Sequence, residues 1–189
     1  MKIYILRIFF FALLSSLFGA QAIAQDEREP YTGNNTILIA FEGQGQRYEF
    51  KSEQMLVRHN RDRHTLECVV PVATLVPLND TIPPAMAYEV LFGAKYPELL
   101  ISIAAPEEQL NAAVFVPSTT NRTTTIVLQG INNETVVPIA ILSDKNSFYF
   151  STNFDLNLEN FQASLPVKYL PVLTGRVLVS IDKAYWYNL

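Results

Sequence analysis

Cysteine is almost missing from this chain: Cys68 is the only one among 189 residues. A single thiol excludes any intrachain disulfide. The stretch Leu66-Glu67-Cys68-Val69-Val70 reads as strand, where a lone Cys behaves as a small buried hydrophobe. Histidine is nearly as scarce, with only His59 and His64, both in Arg58-His59-Asn60-Arg61-Asp62-Arg63-His64. That spacing, with Asp62 between, can in principle grip a metal, but three arginines make a cation unwelcome and a third ligand is missing. The stretch reads as a solvated hairpin tip, with no metal site.

Parts for catalysis are missing as well. There is no G-x-S-x-G nucleophile elbow, and the one Cys has no His and Asn setting. Gly43-x-Gly45 is too short for a dinucleotide loop, which needs a following helix. Glu107-Glu108 sits in a polar turn. The expectation is a protein that is not an enzyme and needs no cofactor. An excess of positive charge is also lacking: 14 Lys and Arg stand against 18 Asp and Glu, a net charge of −4. Binding of nucleic acid or anionic lipid by charge alone is therefore not expected.

A membrane-spanning run is the last absence. Residues 1–24 begin with Lys2 and Arg7 and continue through Ile8–Leu14 to Leu17-Phe18, short of the ~20 residues a span requires. Ala22-Ile23-Ala24 fits the A-x-A rule of a signal peptidase, and acidic sequence follows at once. Residues 1–24 therefore read as a cleaved signal peptide, and no Cys stands at the cleavage point to carry a lipid anchor. The expected location is periplasmic or secreted, with nothing left to span the membrane after cleavage. The mature chain then carries a net charge of −6, because the signal holds two bases and no acid. Asn34, Asn79, Asn121 and Asn133 head Asn-x-Thr sequons in turn-like stretches, where glycans are tolerated.

What is present is β-forming. Residues 25–35 read as a flexible leader and 36–189 as one domain. Short runs rich in β-branched and aromatic residues alternate with turn chemistry: 36–41, 46–51, 64–72, 98–104, 110–116, 122–129, 136–142, 148–158 and 175–186. Phe148, Phe150, Phe154, Leu156 and Leu158 share one parity, and Val177, Val179 and Ile181 repeat the pattern. Such alternation predicts an antiparallel sheet with one wet and one apolar face. Asp155 falls on the polar face. The segment Pro83–Gly93 reads as a short helix, opened by prolines and stopped by glycine. So many strands are best closed into a barrel, which removes their edges. Twelve Phe, nine Tyr and one Trp give it a large apolar payload. An eight-stranded barrel either fills with side chains or encloses one small ligand, and the pattern leaves both open.

The order of these elements resembles the YceI-like family. The residues concerned are Cys68–Leu75, a polar break, the short helix, and Lys95-Tyr96-Pro97-Glu98-Leu99-Leu100-Ile101-Ser102-Ile103. The opening Ile37–Gly43 with Tyr48-Glu49-Phe50-Lys51 is similar too, as is the closing Asn157–Pro166 with Val177–Ile181. Asn160 stands where an Asp is usual, and the family's frequent histidine-bearing opening motif is not visible, so the chain resembles a diverged member or a domain of unknown function with the same plan. The resemblance implies an all-β, extended, antiparallel lipocalin-like barrel of about eight strands with one short helix. It implies a periplasmic protein that binds a polyisoprenoid or quinone-like lipid, an apolar or amphipathic small molecule as partner. On that reading the lumen candidates are Tyr48, Phe50, Phe92, Tyr96, Phe148, Phe150, Phe154 and Phe161, with Phe92 and Tyr96 at the mouth. The alternative is a non-catalytic envelope protein with a filled barrel, for which Tyr185, Trp186 and Tyr187 read as exposed partner anchors. Oligomeric state stays open, a dimer included.

Overall fold

Alternating sequence closes on itself here. The computed structural model describes residues 30–106, 110, 118–144 and 147–187. The strands are β1 (Thr32–Gly43), β2 (Arg47–Asn60), β3 (Thr65–Pro71), β4 (Val76–Pro77) and β5 (Glu98–Ala104). After them come β6 (Ser118–Leu128), β7 (Ile131–Asp144), β8 (Ser147–Asn157) and β9 (Leu173–Tyr187). A five-residue helix, α1 (Met86–Val90), lies between β4 and β5. The expected signal peptide 1–24, the leader's Gln25–Glu29 and all but Leu110 of the expected strand 110–116 lie outside the described residues.

The strands pair in the order β1-β9-β8-β7-β6-β5-β3-β2, and β2 returns to β1. Every neighbour is antiparallel, so eight strands form a closed barrel. The two-residue β4 adds to β2 at Phe50 and Lys51, beyond the reach of β3. Inward positions follow the predicted parity: Ile37, Ile39 and Phe41 on β1, Phe148 and Phe150 on β8, Val177, Val179 and Ile181 on β9 are all buried.

Three expectations need correction. The first strand begins at Thr32, so residues 32–35 of the expected leader belong to the sheet. Asn35 fixes this start: its side chain donates to the carbonyl of Tyr185 at 3.1 Å and accepts from the Tyr185 amide at 2.7 Å. The second strand runs on to Asn60 rather than ending near Lys51. Inward parity there passes from Phe50 and Ser52 to Met55, Val57 and His59, because Asn35 pairs with Met55 while Ile37 pairs with Ser52. This bulge, with Glu53-Gln54 exposed, erases the period-2 signal. Consequently His59 is not at a solvated tip but 2 % exposed inside the barrel. His64 does sit exposed in the turn, with φ 52°.

Candidate functional site

The inner wall is the first place to look for a site. Its buried side chains form one contiguous apolar cluster drawn from all eight barrel strands and from α1. Ile37, Ile39, Phe50, Met55, Val57, Leu66, Val70, Ile103, Ile126 and Ile139 have no solvent-accessible surface at all. Water-sized space next to them would leave them accessible area, so the central section is packed. Partly buried apolar groups fringe the cluster: Tyr48, Phe154, Ala163, Leu165 and Val172.

One end is capped. α1 turns Met86, Ala87 and Val90 inward, and Gln129, in the β6–β7 turn, donates to the carbonyl of Val90 at 3.0 Å. Glu89 of the helix accepts from the Tyr169 hydroxyl and pairs with Lys168, both at 2.5 Å. The Lys168 bond, with that of Tyr169, holds the Glu89 carboxyl below its ordinary pKa; burial, then the bond to Glu89, pushes the Tyr169 phenol up. Helix, β6–β7 turn and the β8–β9 connection thus form one lid-like layer.

The lumen candidates divide between the two ends. Phe92 follows α1 at φ 53° and is 37 % exposed; Tyr96 is partly exposed beside Gly130. Tyr48 and the buried Phe161 lie at the same capped end, on the start of β2 and just after β8. Phe50 is in the packed section, its ring edge-on to Phe41 at 5.7 Å. Phe154 is half-buried on β8. Phe148 and Phe150 sit toward the other end, where the Phe148 ring stacks on Trp186 at 5.2 Å and Phe150 is tilted against it at 6.1 Å. Trp186 is therefore 1 % exposed on the inner wall, not a surface anchor, whereas Tyr187 is 51 % exposed.

Sequence reasoning missed the polar groups at this far end. Arg122 lies on the inward parity of β6 with Thr124 and Ile126, and is only 8 % exposed. Its Nη1 donates to the carbonyl of Ala104 at 2.9 Å and its Nε to the Thr120 hydroxyl at 3.2 Å. His59 contacts the next carbonyl, Ala105, through Nε2 at 2.8 Å. Burial lowers the Arg122 pKa, as expected for a cation taken from water. In Asn121-Arg122-Thr123-Thr124 no single residue betrays this, and only the parity carried back from Ile126 would have placed Arg122 inside.

Outside the barrel, Glu67 accepts from Arg58 Nε at 2.7 Å, Asn60 at 2.8 Å and the Tyr31 hydroxyl at 3.2 Å. These groups line a polar cleft of about 310 Å³ on the outer wall. A more apolar groove of about 370 Å³ crosses β1 and β9 at Leu38, Ala40 and Leu178, and Arg176 binds Asp155 there at 2.9 Å. Asp155 is exposed, as its parity predicted. Among the described residues no group of three or more His, Cys, Asp or Glu is placed to hold a metal, and no helix is long and apolar enough to cross a membrane.

Closed eight-stranded antiparallel topology, an apolar inner wall and a helical cap define a lipocalin-like barrel. The sequence itself matches no family model and no curated protein. Solved structures do match. A polyisoprenoid-binding domain from Saccharophagus degradans, implicated in plant cell wall breakdown, aligns with a TM-score of 0.70 at 9% identity. The alignment covers 84% of this chain and 97% of that one. BcnA of Burkholderia cenocepacia aligns at 0.56 and 13% identity, over 77% and 92%. A YceI protein of Campylobacter jejuni aligns at 0.49 and 11%, over 87% and 88%. The fold implied by the YceI-like resemblance is the fold this chain has.

Proposed function

We propose that this chain is an exported, periplasmic binding protein that holds an isoprenoid or other amphipathic lipid in its barrel without catalysis. The observation that carries the reading is the inner wall. Eight strands and the cap present apolar side chains over almost the whole interior, and the half-buried Tyr48, Phe154, Leu165 and Val172 extend that surface. Binding needs no charged contact along the tail, since burying apolar area contributes ~25 cal/mol per Å². The polyisoprenoid-binding domain of S. degradans, with the same architecture over nearly its full length, supports the choice of ligand class.

The central packing favours a second reading, a filled barrel serving as an envelope interaction module. Native mass spectrometry on protein purified without detergent separates the two. A mass of a few hundred daltons that is lost on solvent extraction supports the carrier. A bare chain that takes up no added prenyl lipid overturns it in favour of the filled module. Phe154→Glu, at a half-buried inward position, is expected to abolish lipid retention while preserving the far-ultraviolet spectrum.

A further inference from the structure

Large apolar side chains gather on the outer side of the lid-like layer. Among the described residues, Tyr88 and Phe92 stand exposed on α1 and the turn after it, Ile131 at the β6–β7 turn, and Val167 and Leu170 in the β8–β9 connection. Val167 is 82% exposed and Leu170 55%, while α1 keeps Met86, Ala87 and Val90 on its buried side. The layer is tied together from within. Glu89 binds Lys168 and the Tyr169 hydroxyl, and Gln129 donates to the carbonyls of Val90 and Ser164 at 3.0 and 3.4 Å. Apolar tips from three chain segments are thus presented side by side on held supports. Two lysines lie among them, each over an aromatic ring: Lys95 Nζ is 5.0 Å from the centre of the Tyr96 ring and Lys168 Nζ 4.9 Å from that of Tyr169. Glu89, Glu98 and Glu159 offset these charges, so the layer carries no cationic excess.

We propose that this layer docks the protein on a zwitterionic lipid bilayer, with Phe92, Val167 and Leu170 entering the acyl boundary and Tyr88 resting at head-group level. The chemistry favours a bilayer over a protein partner. Separate tips from three segments are not the close-packed core that a protein interface presents, whereas lipid conforms to any outline. Tyrosines and long basic stems beside apolar chains are the composition of a membrane–water interface. Because the charges are balanced, apolar burial drives the contact and anionic lipid adds little. Docking goes beyond the function proposed above, since it holds whether or not the barrel itself carries a lipid.

Flotation of the purified protein with phosphatidylcholine vesicles, and with vesicles of phosphatidylcholine mixed with phosphatidylglycerol, tests the docking. Wild type is expected to float with both to a similar extent. The double variant Val167→Asp, Leu170→Asp should bind at least about tenfold more weakly, since fully burying one such side chain already corresponds to about that factor. Both sites are exposed, so an unchanged far-ultraviolet spectrum and melting temperature are expected. Tyr187→Asp, at the opposite end of the barrel, should float like wild type. The inference is overturned by a wild type that ignores vesicles or binds only those with phosphatidylglycerol. A double variant that floats like wild type, or an equal loss in Tyr187→Asp, overturns it too. Native mass spectrometry reads the carrier function separately. Retained lipid without flotation removes docking alone, and flotation of a bare chain that takes up no prenyl lipid supports docking while removing the carrier.

Discussion

Glu67 shows how single residues divide this wall into an inner and an outer chemistry. Burial alone would raise its pKa, but bonds from Arg58, Asn60 and Tyr31 outweigh that and hold it below the ordinary glutamate value. A carboxyl with a lowered folded-state pKa stabilises fully above its unfolded value of about 4.5, and loses that contribution as the pH falls through the folded value. With Glu67 and Arg58 only 12% and 11% exposed, Glu67→Gln is expected to cost about 1–3 kcal/mol at pH 7 and to flatten the acid limb of stability. Urea titrations at pH 7 and pH 4 measure both effects; an equal penalty at the two values would remove the ionic account. Cys68, one position further on, points the other way. Burial, with Glu67 adding, pushes its thiol far up, so it should resist thiol reagents in the native state and react at the rate of unfolding. Rapid native labelling would show that β3 opens locally.

At the scale of elements, the cap depends on one tight turn. Gly130 between β6 and β7 has φ 78°, and a Cβ there would stand 2.6 Å from the Tyr96 ring. Gly130→Ala is expected to destabilise by about 1–2 kcal/mol through backbone strain and displacement of Tyr96, and to quicken lipid exchange if α1 gates the barrel. Thermal melts and lipid release rates measure the two separately. The strands themselves were largely legible, because β8 and β9 keep strict alternation over most of their length and a buried face demands it. β2 was not, because the bulge at Glu53-Gln54 shifts its parity midway, and parity is the only signal a half-buried strand gives. The helix expected at 83–93 is confined to the five residues of α1, with turns on either side. Of the candidate rings, Phe148 and Phe150 are buried on the inward parity of β8, as the alternation predicts. Trp186 faces inward against the parity of Val177, Val179 and Ile181, because a bulge at Asp182-Lys183 shifts the inward positions of β9 to Ala184 and Trp186. Arg122 was passed over, because a lone arginine in a threonine-rich strand looks like a solvent-facing one.

For the whole molecule, the decisive quantity is how the barrel responds to losing interior volume. A packed core and a ligand-lined lumen both present apolar rings, but they differ in what fills the space a ring vacates. Phe150 is 1 % exposed and tilted against Trp186. If side chains alone fill the section, Phe150→Ala leaves a cavity and costs about 3–5 kcal/mol. If lipid shares it, a longer or branched chain occupies the vacancy, and added lipid recovers stability by mass action, RT ln(1 + [L]/Kd). The expected outcome on the carrier reading is a large loss for lipid-stripped Phe150→Ala and a lipid-dependent rise in melting temperature for both proteins. A melting temperature indifferent to prenyl lipid in wild type and variant alike would assign the interior to side chains, and the outer groove at Leu38 and Leu178 would then be the surface to probe for partners.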